Sequence, residues 1–221
     1  MKYIIPLLLA TFSFSLNAQN IQLHYDFGKD RKFLTSTIEM FMPDSMGSTF
    51  FFTDFDYDGE KNAMSLSYFE IARYVTLPVF DNKLDVSLQF NDGHARIGEA
   101  GFPLGQIWLA GFSYPVNLKV IEVKVDVLYR HADYSKGSDW QLTAAWFRPF
   151  MEDRFIFSGF IDVWSETREG DHQVVVQAEP QLWMFAWKQL FIGSELEISH
   201  NFIPGSKKLE AIPTAAVMWL F

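Results

Sequence analysis

The sequence predicts an all-β chain: a twelve-stranded antiparallel up-and-down transmembrane β-barrel of the outer-membrane type. Three observations carry this reading. Apolar residues recur at every second position in about twelve runs, and downstream of Gln19 no stretch holds 18 consecutive apolar residues. The connections between runs alternate between compact turns and longer, more charged loops, as a chain threaded up and down a barrel requires.

Composition removes other classes. The 221 residues are 49% hydrophobic and 17% aromatic with no cysteine, which excludes a disordered chain and a disulfide scaffold. With 18 Lys and Arg against 27 Asp and Glu, the formal charge is −9, so phosphate repulsion argues against nucleic acid as a partner.

Taken in order, Lys2, the apolar run Ile4 to Leu16 and the small residue Ala18 read as a signal peptide over residues 1–18, with cleavage after Ala18 and export from the cytoplasm. Residues 19–221 then form one domain. The first strand, 20–27, sets Ile21, Leu23, Tyr25 and Phe27 against Gln22, His24 and Asp26. Strands at 33–42 and 48–57 follow, the latter alternating Phe51, Phe55 and Tyr57 with Asp54 and Asp56. In 63–76 the set Met64, Leu66 and Tyr68 is in phase with Glu70, so either a bulge shifts the parity or Glu70 lies near an interface. Leu84, Val86, Leu88 and Phe90 mark 84–91, and 105–114 comes next. Ile121, Val123, Val125 and Val127 mark 117–130, followed by 139–148 and 154–165. The run 173–185 contains Pro180, which forfeits a ladder hydrogen bond, and the last strands are 190–200 and 209–221. Most runs are about 9 to 13 residues long, the reach of a tilted strand across a bilayer.

The compact turns are Pro43 to Gly47, Pro78 to Lys83, Pro115 to Val116, Pro149 to Asp153 and Trp187 to Gln189, assigned to the periplasmic side. Asp92 to Leu104 is the longest loop on the other side, either folded inward as a constriction or lying on the surface. Phe221, preceded at alternate positions by Trp219, Val217 and Ala215, carries the terminal-aromatic pattern read by barrel-assembly machinery. Tyr25, Tyr57, Tyr74, Tyr114, Tyr129, Trp140, Phe155, Trp187 and Trp219 fall near strand ends as interfacial girdles.

If the apolar parity touches membrane lipid, the opposite parity lines a lumen. That set includes Asp54, Asp56, Trp108, Lys124, Asp126, Arg130, Asp162, Trp164, Glu166, Glu179, Trp183, Glu195 and Glu197. Rings interleaved with carboxylates and amides suit a planar, polar, neutral solute, while an acid excess repels anions. In a narrow barrel the same side chains could instead satisfy only one another.

The ordered segments FFFTDFDY (50–57), MSLSYFEIARYVTL (64–77), GQIWLAGFSYPV (105–116), DWQLTAAWFRPF (139–150) and RFIFSGFIDVW (154–164) resemble the Tsx family of nucleoside-specific channel-forming outer-membrane proteins, and more closely a shorter branch of that superfamily described only as a domain of unknown function. The resemblance implies a twelve-stranded barrel whose narrow channel holds nucleosides between aromatic and ionisable side chains. Carried to this chain, it assigns that use to Asp54, Asp56, Phe69, Glu70, Arg73, Asp162 and Trp164.

An enzyme reading rests on Glu195 to Phe202, which resembles the strand of outer-membrane lipid A deacylases carrying a His and, two residues on, a nucleophilic Ser. Here that second position is Phe202, and Ser199 and His200 are adjacent, so on a strand they point to opposite faces. The histidines show no metal-ligand spacing, and no cofactor motif is present in the sequence. The expectation is therefore a non-enzymatic outer-membrane channel for small polar solutes such as nucleosides. Its alternatives are a closed structural or docking barrel and a lipid hydrolase.

Overall fold

The computed structural model describes residues 19–29, 31–58, 63–168, 170–203 and 206–221. The expected signal peptide, residues 1–18, lies outside them. The strands are β1 (Gln19–Asp26), β2 (Leu34–Asp44), β3 (Gly47–Asp58), β4 (Ala63–Thr76), β5 (Asp85–Ile97), β6 (Ala100–Pro103), β7 (Ile107–Asn117), β8 (Glu122–Ala132), β9 (Asp139–Phe150), β10 (Phe155–Arg168), β11 (Asp171–Ala178), β12 (Gln181–Trp187), β13 (Leu190–His200) and β14 (Leu209–Leu220). They close into a ring of twelve antiparallel staves, with β14 hydrogen-bonded to β1 and β9 to β10. Closure satisfies backbone groups that lipid cannot.

Fourteen strands make twelve staves for two reasons. The short β6 pairs with the outer half of β5, a hairpin extension that stands off the ring. The predicted loop 92–104 is therefore mostly this extension, and its residues from Gly98 to Pro103 are exposed. β11 and β12 are one stave in unbroken register on both neighbours, interrupted at Glu179 and Pro180. There the Leu196 amide donates to the Pro180 carbonyl at 3.1 Å, and the return bond has no donor. Gly159 lies across from Pro180 with φ +140°, and a Cβ on it would fall 2.3 Å from the Glu179 carbonyl oxygen.

The radial order of side chains is the reverse of a soluble protein's. On β1, Gln22, His24 and Asp26 are buried while Ile21, Leu23 and Tyr25 are exposed. On β8, Asp126 is 2% exposed and its neighbour Val127 59%. The greasy face points outward on every side, the arrangement a barrel needs in lipid.

Local departures from the alternation have local causes. A bulge at Ser65 lets Tyr57 pair with Met64 and Asp56 with Leu66, which turns Met64 outward and brings Leu66, Tyr68 and Glu70 inward. Tyr74 follows the same parity and donates its hydroxyl to Asp126 at 3.0 Å inside the lumen, so it leaves the expected girdle. Pro115 and Val116 belong to β7, not to a turn. The Leu118 amide bonds to the Ile121 carbonyl, so the Pro115 nitrogen faces away from β8, where β5 has already ended.

Candidate functional site

Antiparallel register decides which polar groups meet inside the barrel. Asp162 on β10, Thr143 on β9, Asp126 on β8, Ser113 on β7, Asp85 on β5 and Thr76 on β4 lie directly opposite one another in sequence, a row that alternates acid with hydroxyl. Thr143 donates to Asp162, and Thr76 donates to Asp85 at 2.8 Å. Across the lumen Thr37 donates to Asp54 at 2.5 Å and Thr35 to Asp56 at 2.6 Å, each from β2 to the facing residue of β3. A carboxylate taken out of bulk water is tolerated only with such donors.

The remaining acids are held in the same way. Tyr68 and Asn91 donate to Glu70 at 2.5 and 2.9 Å, Gln177 to Glu179 at 2.7 Å, and Gln181 to Glu195 at 2.7 Å. Toward the loop end, Arg31 bridges Asp26 at 2.9 Å and Glu197 at 2.6 Å. Fully buried Glu166 accepts from Trp164, Arg168, Gln173 and Tyr134 at 2.9 to 3.2 Å. Arg130 lies over the Trp164 and Tyr134 rings at 5.5 and 5.7 Å, and its Nη1 has no hydrogen-bond partner among the described residues.

Toward the turn end, polarity gives way to a hydrophobic wall. Ile156, Trp183, Phe191, Ala216 and Met218 form one cluster, with Leu220 against it. The Trp183 indole donates to Gln181 at 3.0 Å and meets His24 edge-on at 5.8 Å. Gly193 makes room for this ring, since a Cβ there would sit 2.4 Å from it.

Of the residues assigned by the resemblance, with Trp108, Glu179 and Trp183 from the expected lumen set, Asp54, Asp56, Glu70, Asp162, Trp164, Glu179 and Trp183 are on the lumen parity. Phe69, Arg73 and Trp108 are on the outer face. Trp108 is 48% exposed and packs on Phe90 at 4.6 Å, with Phe69 on the other side of Phe90 at 5.9 Å. Arg73 pairs with Asp44 at the turn end of the wall. Both faces of β7 are largely apolar, Leu109 and Gly111 inside, Trp108, Ala110 and Phe112 outside, so alternation alone does not orient this strand. Gln22, His24, Glu39, Tyr68 and Tyr74 complete the lining. The alternation sets Tyr68 with the apolar residues and Tyr74 in the interfacial girdle; their hydroxyl bonds to Glu70 and Asp126 reveal both as lining.

Ser199 faces the lumen, while the alternation of β13 turns His200 to the outer face, so this pair cannot relay a proton. Among the described residues no group of three or more His, Asp or Glu side chains is placed to hold a metal ion.

Comparison with solved structures finds the same architecture at very low sequence identity. A KdgM porin superimposes with a TM-score of 0.55 at 8% identity, covering 92% of this chain and 98% of that one. A KdgM porin in complex with disordered oligogalacturonate gives 0.52 at 8% identity, with 92% and 98% covered. LpxR from Salmonella typhimurium gives 0.47 at 8% identity, with 92% and 99% covered. No curated protein matches the chain. Residues 18–221 match the family "Domain of unknown function (DUF5020)", and the chain belongs to that family.

Proposed function

We propose that this barrel resides in the outer membrane and passes small polar solutes passively, with nucleosides as the preferred class. The observation that carries the reading is the lining itself: hydroxyl-pinned carboxylates, amides and the indole of Trp164 share one interior. A solute that leaves water there recovers hydrogen bonds from Asp54, Asp162 and Glu70. The resemblance of five ordered segments to the Tsx family supports the same class.

Charge narrows it further. Inward-facing acids outnumber Lys124, Arg130, Arg168 and the loop residue Arg31, so anionic solutes are disfavoured. Oligogalacturonate, bound by the KdgM porin in one of the similar structures, is a chain of acidic sugars, and this lining suits a neutral solute better. Export through a signal peptide and presentation of Phe221 to barrel-assembly machinery belong to the same reading.

The test is swelling of liposomes containing purified barrel. Nucleosides are expected to enter faster than sugars of equal mass, and equal rates would overturn the nucleoside assignment. The apolar wall around Trp183 favours a second reading, a closed structural or docking barrel, and absent swelling would select it.

A further inference from the structure

On the outer surface, near the turn end of the barrel, a groove of about 500 Å³ lies between the β7–β8 turn and the ends of β9, β10 and β12. Its lining is Val120, Ile121, Phe150, Phe157 and Leu182, with a single charge, Arg148. Arg148 lies directly opposite Phe157, and Phe157 opposite Leu182, so all three stand on the lipid-facing parity. The guanidinium is exposed and makes no ion pair or side-chain hydrogen bond among the described residues. Beside it, Trp146 packs on Phe157 at 5.5 Å with the rings tilted by 33°, and its indole N–H has no acceptor among the described residues.

An unpaired cation at the margin of a membrane-facing apolar groove asks for an amphiphile with an anionic head. We propose that this groove binds one glycerophospholipid of the leaflet on the turn side, its acyl chain along Phe157, Leu182 and Val120 and its phosphate on Arg148. A guanidinium fork matches phosphate geometry, and the acyl chain covers the apolar lining of the groove. The site lies on the opposite side of the wall from the lumen, so it stands whether or not the barrel conducts.

The experiment is native mass spectrometry of the detergent-extracted barrel titrated with phosphatidylglycerol. Arg148→Gln is expected to weaken retention of the first lipid about fivefold, the equivalent of ~1 kcal/mol for one cation at a lipid surface. Leu182→Trp, which fills the groove and keeps the charge, is expected to reduce it as well. Lys188→Gln removes a cation elsewhere on the same rim, where it lies over the Trp187 ring, and should leave retention unchanged. Equal retention by wild type and Arg148→Gln would overturn the site. So would equal losses from Arg148→Gln and Lys188→Gln, or a barrel dimer that Arg148→Gln dissociates, which would make the groove a contact between copies.

Discussion

Neighbouring residues on one strand sit in opposite solvents, and this makes single substitutions unusually informative. Val127 projects outward from the middle of β8, next to fully buried Asp126. Val127→Arg is expected to destabilise the barrel by about 2–4 kcal/mol if its surroundings are hydrocarbon, measured by urea unfolding in liposomes; a change below about 0.5 kcal/mol would place that face in water. Inside, Trp183 is 1% exposed and fills the apolar wall against Phe191 and Met218. Trp183→Ala is expected to cost about 3–5 kcal/mol in the same assay, because the cavity cannot collapse within a closed ring. At the lumen belt, Asp162→Asn keeps an acceptor for Thr143 but removes a charge. The expected outcome in planar bilayers is reduced preference for cations over anions at unchanged barrel stability, and an unaltered reversal potential would remove Asp162 from the conduction path.

Elements show why some of this was readable in the chain and some was not. In β1 the inner face is wholly polar, and in β5 from Asp85 to Asn91 and in β8 from Glu122 to Asp126 it is as well, so period two alone separates lumen from lipid there. In β7 the inner face carries Leu109 and Gly111, the latter against the β8 backbone where a Cβ would fall 2.0 Å from the Val127 carbonyl oxygen, and the parity of Trp108 is settled only by its pairing with Phe90. In β4 the bulge at Ser65 reverses parity near the start of the strand, and nothing in composition marks a bulged residue. Pro180 is an irregularity within the single run 173–185, and register runs through it, since one missing donor of a ladder costs only about 1 kcal/mol. The tip of the β5–β6 hairpin, from Arg96 to Phe102, is outside the ring, so joining Ala95 to Pro103 through a two-residue Asn-Gly turn is expected to leave the barrel folded. Loss of its heat-modifiable gel mobility would show that β6 supports closure after all.

At the scale of the whole molecule, function depends on how the twelve staves are staggered. The stagger places Asp162, Thr143, Asp126, Ser113 and Asp85 in one row although 77 positions separate the first from the last along the chain. If that row guides permeation, raising the salt concentration should erode cation preference while leaving the ranking of neutral nucleosides over sugars intact, as read by bilayer conductance and liposome swelling. The chain by itself determined the class of structure: alternation, strand length and turn spacing are local properties, and in lipid only a closed ring can satisfy so many backbone groups. The tertiary structure decided which acids share a row, which rings reach the interior, and that Phe69, Arg73 and Trp108 face away from it. The reason is that register and bulges are set by pairing between strands, and a shift of one residue exchanges inside for outside without altering any local pattern.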